Sequence, residues 1–438
     1  MRYKWSGFVV RYSTKKSFFI LKNFFTGAVI KLTSDMLSRI DYWLDGKSVE
    51  ISQDILSILT GENEFLVSAD KNEFSQFRED FLEVRNNKAE LFTLYFLPTI
   101  KCQLDCSCCF EKGIVRIGRM SEVVLDQSVS WIADYLKVNK EVKYFKFVLF
   151  GGEPLLEKDL VRDALAKFSH IVNIAGVEFW TEIITNGEFL DEDTAFLLKQ
   201  YGWRRVQITL DGPKSIHDLR RCHKNGKGTF DSIISNVKTV LSRNLIEKVN
   251  LRLSIDEETA DLLPDLVKYI AGIGFTDRIQ LSLGIIVPSI DTQMKEISEE
   301  FIAKKVIEVW CVAKSFGFET PEEFVVGPWC VAIAKHSAVL QPNGSIQKCF
   351  CTVGRNSFDF TTVFKNTTSY AQDPRFEIFN RVDECVSERC PYLPVCGGGC
   401  IHDSIVKYGL PGFSKRLCQK NLISQINEGL VHLGYEGY

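Results

Sequence analysis

No stretch of the 438 residues approaches the roughly 18 consecutive apolar residues of a membrane span. The opening, MRYKWSGFVVRYSTKK, has neither the unbroken apolar run nor the small-residue cleavage site of a secretory signal. A dominant charge is missing too. The formal net charge of −3 exerts no general pull toward nucleic acid or an anionic membrane. There is no internal repeat and no low-complexity tract. The expectation left standing is a cytoplasmic globular protein, with 45% hydrophobic residues to build cores and a length that suits about three domains.

Cysteine is absent from the first hundred residues and abundant afterwards, fourteen in all. Without an export signal, metal binding or redox chemistry explains them better than disulfides. One knot, KCQLDCSCCFE, holds Cys102, Cys106, Cys108 and Cys109. A second group comprises Cys330, Cys349, Cys351, Cys385, Cys390, Cys396, Cys400 and Cys418. Cys222 and Cys311 stand alone and read as small apolar residues.

Between these regions short strand-like runs alternate with helical stretches. The runs are LFTLYFL (91–97), YFKFVLF (144–150), EFWTEIIT (178–185), RVQITL (205–210), VNLRLSI (249–255) and RIQLSLGIIV (278–287). Rich in β-branched and aromatic residues, they read as strands covered on both faces. Alternating β and α predicts a parallel sheet with helical crossovers, whose chemistry collects at the carboxyl ends of the strands. The cysteine knot follows the first run, GGEP (151–154) the second, TNGE (185–188) the third and LDGP (210–213) the fourth. All four loops open on one rim, which makes them one site.

The spacing Cys102-x3-Cys106-x2-Cys109 lets one loop offer three thiolates to a soft metal centre. A four-iron cluster takes cysteine thiolates, and three from this loop leave one iron for an outside ligand. Structural zinc would need a fourth ligand from elsewhere in the chain.

CQLDCSCCFE resembles the CxxxCxxC loop of radical S-adenosylmethionine (SAM) enzymes. FGGEPLL, TNG and QITLDGPKSIHDLRR resemble the blocks that follow it in the peptide-modifying branch, in the same order. The resemblance implies a [4Fe–4S] cluster on Cys102, Cys106 and Cys109, with SAM on the open iron. Reduction would then release a 5′-deoxyadenosyl radical that abstracts hydrogen from a substrate. Cys108 stands where the family usually has an aromatic residue and reads as a bystander. Gly151 and Gly152 would admit the methionine end of SAM, and Glu153 would face its ammonium group or else be a solvated turn carboxylate. Thr185, Asn186 and Ser254 are candidate contacts to ribose or carboxylate, and Arg252 a candidate partner for a carboxylate. The basic loop RRCHKNGKG (220–228) reads as a solvated surface. No catalytic acid or base stands out.

Cys330, Gly344 and Cys349 open a pattern that resembles a SPASM domain, the auxiliary-cluster module of the same family. By that resemblance Cys330, Cys349 and Cys400 hold one cluster, with His336, Cys351 or an open iron as its fourth position. Cys385, Cys390, Cys396 and Cys418 hold a second, although four residues separate Cys385 from Cys390 where the family has two. A zinc ribbon would use the same cysteines.

The first ninety residues show three strand patterns and then three helix patterns, the first capped by Thr33 or Ser34. The third carries Phe74, Phe77 and Phe81 on one stripe. This order resembles the precursor-recognition domain of radical SAM peptide maturases, which can bind a leader peptide at a sheet edge.

The expectation is therefore an α/β chain: a winged-helix-like α+β domain at 1–90, a partial (β/α)6 radical SAM barrel at 91–310 and a SPASM domain at 311–438. Its implied activity is radical modification of a ribosomally made precursor peptide, by a thioether or carbon–carbon cross-link, with an external donor such as flavodoxin or ferredoxin. The alternatives are a sulfatase-type formylglycine maturase, disfavoured by Phe350 after Cys349, and a multi-cluster electron carrier.

Overall fold

The computed structural model describes residues 2–14, 17–85, 89–111, 114, 118–286, 298–327, 330–366, 381–409 and 417–435. In chain order its strands are β1 (Tyr3–Trp5), β2 (Val9–Ser13), β3 (Phe18–Asn23), β4 (Val29–Thr33), β5 (Leu66–Ser68), β6 (Leu91–Phe96), β7 (Tyr144–Leu149), β8 (Glu178–Thr185), β9 (Trp203–Leu210), β10 (Val249–Ile255), β11 (Ile279–Ile285), β12 (Ser337–Leu340), β13 (Ser345–Gln347) and β14 (Thr361–Thr362).

Strands β6 to β11 pair in parallel with their sequence neighbours, and each crossover is helical. Alternation along these strands sorts their side chains. Phe92, Leu94 and Phe96 of β6 and Phe145, Phe147 and Leu149 of β7 are buried against the crossover helices. The rings of Phe92 and Phe145 stack 5.2 Å apart. The opposite face carries Tyr95, Lys146, Glu182, Arg205, Gln207, Thr209, Arg252 and Ser254 toward a common interior. The strands therefore do not have two apolar faces, as their composition suggests. One face is core, and the other lines a polar cavity. Val287, at the end of the last predicted run, lies outside the described residues.

The sheet does not close among the described residues. Its order is β11-β10-β9-β8-β7-β6-β12-β13-β14. β12 joins β6 in parallel, Ser337 opposite Thr93, and turns back through antiparallel β13 and β14. The cysteine-rich region is thus grafted onto the barrel's first strand. Helix Glu299–Ser315, whose buried face packs on helix Lys420–Tyr435, runs across position 310, where the sequence places a domain boundary.

In the N-terminal region β2, β3 and β4 form an antiparallel meander, and β1 pairs with β5, a strand that the sequence pattern does not reveal. Thr33, not Ser34, caps the first helix: its hydroxyl accepts the Met36 N–H at 3.1 Å. The stripe Phe74, Phe77 and Phe81 is buried in one cluster with Phe8, Cys385, Cys390 and Tyr392. Phe24 meets Tyr392 edge-on at 4.8 Å, and Arg85 donates to the Ile333 carbonyl at 2.8 Å. The N-terminal region therefore shares a core with the C-terminal cysteines.

No helix among the described residues is long and apolar enough to cross a membrane.

Candidate functional site

The loop after β6 is held from both sides. On one side Glu153 N–H donates to the Lys101 carbonyl at 2.9 Å. On the other, Asp105 and Ser107 N–H donate to the carbonyls of Cys222 and Arg220, both at 2.9 Å, and Leu104 bridges His223. This fixes Cys102, Cys106, Cys108 and Cys109 on the wall of a cavity of about 470 Å³. Burial drives the Cys102 thiol up to about 12 and Cys109 to about 11, and raises Cys106. A metal centre would have to displace those protons.

The geometry tests the fit of such a centre. Among the described residues no three His, Cys, Asp or Glu side chains converge on the position of one metal ion. Zinc would draw thiolates to about 2.3 Å from a single point. Cys106 is buried and Cys102 and Cys109 are half-buried on the wall of one cavity, and such a thiol set suits an iron–sulfur cluster.

Glu153 is fully buried and does not line the cavity. Its carboxylate accepts from Asn186 N–H at 2.8 Å, Leu155 N–H at 3.0 Å and the Thr185 hydroxyl at 2.8 Å. Burial outweighs these bonds and lifts its pKa to about 7. The carboxylate joins the second and third loops, so it is neither free for an ammonium group nor a solvated turn residue. Thr185 is committed to the same junction. Asn186 turns its amide toward Cys102, Nδ2 to Sγ 3.9 Å.

Gly151 and Gly152 line the cavity, but their immediate neighbours are backbone. A Cβ at Gly152 would stand 2.4 Å from the Lys101 carbonyl oxygen, and one at Gly151 2.4 Å from that of Thr99. Glycine is needed to let the second loop press against the entry to the first.

The segment 220–223 is not a solvated surface. Only its continuation, Lys224 to Lys227, is exposed. Arg220 is buried and pairs with Asp256 at 2.6 Å. Arg221 reaches the cavity and pairs with Asp211 at 3.3 Å, and the Cys108 thiol lies 3.3 Å from the same carboxylate oxygen. Cys108 is thus hydrogen-bonded and not merely packed. Burial pushes Asp211 upward, but Arg221 and the Ser254 hydroxyl hold it down at about 2. Cys222, expected to be a small apolar residue, supplies the carbonyl that receives the cluster loop; Cys311 packs at the edge of the main core.

Arg252 and Ser254 both line the cavity. The Arg252 guanidinium lies flat over Gly284, where a Cβ would come within 2.0 Å of Cζ. Burial opposes its charge, and no carboxylate among the described residues forms an ion pair with it. Sequence reasoning missed Tyr95, Lys146, Glu182 and Arg205. The signal was present in polar residues two apart on otherwise apolar strands.

The C-terminal cysteines reach the same cavity. Phe350, Cys351 and His402 line it together with residues of the strands. Phe350 stacks on Tyr95 at 5.3 Å. Cys330, Cys349 and Cys400 are close enough to raise one another's proton affinity, and Cys349 is within hydrogen-bonding reach of Cys351. His336 is engaged elsewhere: Nδ1 meets the Tyr135 hydroxyl at 2.8 Å and Nε2 meets Glu141 at 3.2 Å. Cys385, Cys390, Cys396 and Cys418 surround a second, smaller space. Gly397, Gly398 and Gly399 there all have positive φ (63°, 91° and 91°), a run that only glycine adopts at little cost. Cys390 N–H donates to the Cys385 carbonyl at 3.0 Å, so the longer spacing still brings both thiols to one place.

Residues 96–270 match the Radical SAM superfamily. They form a radical SAM domain. A cysteine-type anaerobic sulfatase-maturating enzyme of Clostridium novyi is 30% identical over 175 residues, 38% of this chain and 44% of that protein. An Fe-coproporphyrin III synthase of Methanosarcina barkeri is 28% identical over 166 residues, 38% and 37% of the two chains. The chain thus aligns with less than half the length of these curated relatives. Among solved structures, anSMEcpe with bound AdoMet and Kp18Cys peptide superposes with a TM-score of 0.62 at 18% identity, covering 78% of this chain and 98% of that one. Streptococcus suis SuiB gives 0.54 at 14% identity and covers 95% and 99%. These likenesses establish a shared fold. Radical SAM domains use SAM and a [4Fe–4S] cluster, and in this chain Cys102, Cys106 and Cys109 line one cavity.

Proposed function

We propose that this chain is a radical SAM enzyme that modifies a ribosomally made precursor peptide. One observation carries the reading: the three cysteines of the radical SAM loop and Phe350, Cys351 and His402 of the C-terminal region line one cavity. A cluster held by Cys102, Cys106 and Cys109 would supply the electron for reductive cleavage of SAM, and with it the radical chemistry that removes a hydrogen atom from the substrate. The chain's own residues do the rest. Gly151 and Gly152 seat the cluster loop, Glu153 locks the second loop to the third, and Arg252 offers an uncommitted cation to a carboxylate. Cys351, within hydrogen-bonding reach of Cys349, would supply the fourth thiolate to an auxiliary cluster held by Cys330, Cys349 and Cys400.

The structure with a bound peptide in a chain of the same fold supports a peptide substrate. The partner supplying electrons is an external one-electron donor such as flavodoxin or ferredoxin. Likeness to a sulfatase-maturating enzyme favours formylglycine formation as a second reading. Against it, position 350 holds a phenylalanine that stacks on Tyr95 and meets Phe150 edge-on, where that branch carries an aspartate.

The test is anaerobic purification, cluster reconstitution and an assay of 5′-deoxyadenosine from SAM with a strong reductant. Cys102→Ala/Cys106→Ala/Cys109→Ala is expected to abolish cleavage while iron remains at the auxiliary sites. A well-loaded wild type that neither binds nor cleaves SAM refutes the proposal.

A further inference from the structure

Arg220 and Arg221 are adjacent in sequence but differ in how their charge is met. Arg220 faces two carboxylates, Asp256 at 2.6 Å and Glu258 at 3.3 Å. Arg221 faces one, Asp211, through a single contact of 3.3 Å to Oδ2. That is long for a charge-assisted bond, which settles near 2.7–2.9 Å, and it is not the two-pronged pairing that guanidinium favours. The same Oδ2 also receives the Cys108 thiol. Arg221 Nε is buried with no hydrogen-bond partner. Its positive charge is therefore only partly neutralised, and it sits on the wall that carries the cluster cysteines.

Its place in the chain fixes it beside those cysteines. The carbonyls of Arg220 and Cys222, on either side of it, accept the Ser107 and Asp105 N–H groups of the cysteine loop, both at 2.9 Å. Arg221 and Cys102, Cys106 and Cys109 line the same cavity. Reduction of a cluster held there adds one negative charge, so a fixed cation stabilises the reduced form and a nearby carboxylate destabilises it.

Resting on the reading that Cys102, Cys106 and Cys109 hold the cluster, we propose that Arg221 sets the reduction potential of that cluster and that Asp211 limits how much of the Arg221 charge it feels. Arg221 is then a positioning and tuning residue. Cys108 belongs to the same device, because its thiol draws Asp211 Oδ2 away from an exclusive pairing with the guanidinium. The cysteine that departs from the family pattern thereby acquires a role without being a ligand.

The test is a redox titration of the reconstituted holoenzyme followed by electron paramagnetic resonance, reading only the signal that changes on adding SAM. Auxiliary clusters closed by four ligands do not give that response. Arg221→Gln is expected to leave about tenfold less reduced cluster at a fixed donor potential, a shift of about 59 mV downward. Arg221→Lys keeps the charge and is expected to recover most of that loss. Asp211→Asn is expected to move the potential upward, and it decides the matter should Arg221→Gln fail to load iron. Equal shifts for the Gln and Lys variants, or an Asp211→Asn potential that is unchanged or lower, overturn the proposal. A wild type with no SAM-responsive signal refutes the cluster reading itself, and so is a separate result.

Discussion

The carboxylate of Glu153 accepts the backbone N–H of Asn186 at 2.8 Å, which ties the loop after β7 to the loop after β8 beneath the cavity floor. The relationship is internal to the protein, and its consequences appear first in stability. Glu153→Ala strands the Asn186 and Leu155 N–H groups and the Thr185 hydroxyl, and each buried unsatisfied donor costs about 1–3 kcal/mol. A loss of about 3 kcal/mol or more in chemical unfolding is expected, with Glu153→Gln losing less because it keeps an acceptor. The pH sign follows from the raised pKa. The stability this group contributes is full below its ordinary 4.5 and is lost as pH rises through about 7. The gap between wild type and Glu153→Gln should therefore narrow from pH 5 to pH 8; a gap that widens would mean that the carboxylate is held ionised.

His217 works in the opposite direction. Its Nδ1 accepts the Asp211 N–H at 3.2 Å, so Nε2 carries the proton toward Thr229 Oγ1 at 3.1 Å. Burial, helped by Arg221, lowers its pKa from 6.5 to about 4. A neutral ring is built in, and its contribution is present above pH 6.5 and lost as pH falls toward 4. Thermal unfolding of wild type and His217→Asn across that window should show the steeper dependence in wild type. Parallel curves would remove His217 from the acid response.

Gly152→Ala is expected to act on metal content. The new Cβ would press within 2.4 Å of the Lys101 carbonyl, one residue before Cys102, and backbone cannot yield there cheaply. Reconstituted protein should lose the SAM-responsive resonance and about one cluster's share of iron while the auxiliary signals persist. Full iron with an intact SAM response would show that the two loops have more room than the geometry allows.

Cys351→Ala is expected to open one iron of the first auxiliary cluster. Added cyanide should then perturb an auxiliary resonance in the variant and leave it unchanged in wild type. A cyanide response in wild type would mean that Cys351 is not a ligand.

Much of the fold was legible because its signals are local. Each of the six parallel strands lies within or beside a run of β-branched and aromatic residues, and the Thr33 cap announces its helix one residue ahead. The loop order after β6, β7, β8 and β9 is enough to place the cysteines, the glycine pair and Asn186 on one rim. Long-range partners were not legible. Nothing near Ser337 says that β12 will pair with β6, two hundred and more residues earlier. Nothing in RRCH says that Arg220 will find Asp256, or that the Cys222 carbonyl will receive Asp105. A basic run is read as solvated unless its partners are known, and here those partners lie in loops that follow other strands. Glu153 failed for the same reason: two of its three donors, the Thr185 hydroxyl and the Asn186 N–H, come from a loop that meets it only after folding.

The phenylalanines of the N-terminal helix, Phe74, Phe77 and Phe81, are buried in one cluster with Cys385 and Cys390. Two parts of the chain about three hundred residues apart thus complete each other's interior. The helix that ends at Glu83 leaves the translating ribosome long before the cysteines it packs against. Until the C-terminal region arrives, the helix has an apolar stripe with half of its cover missing. The interior of the earliest residues is therefore completed only when the last part of the chain has been made.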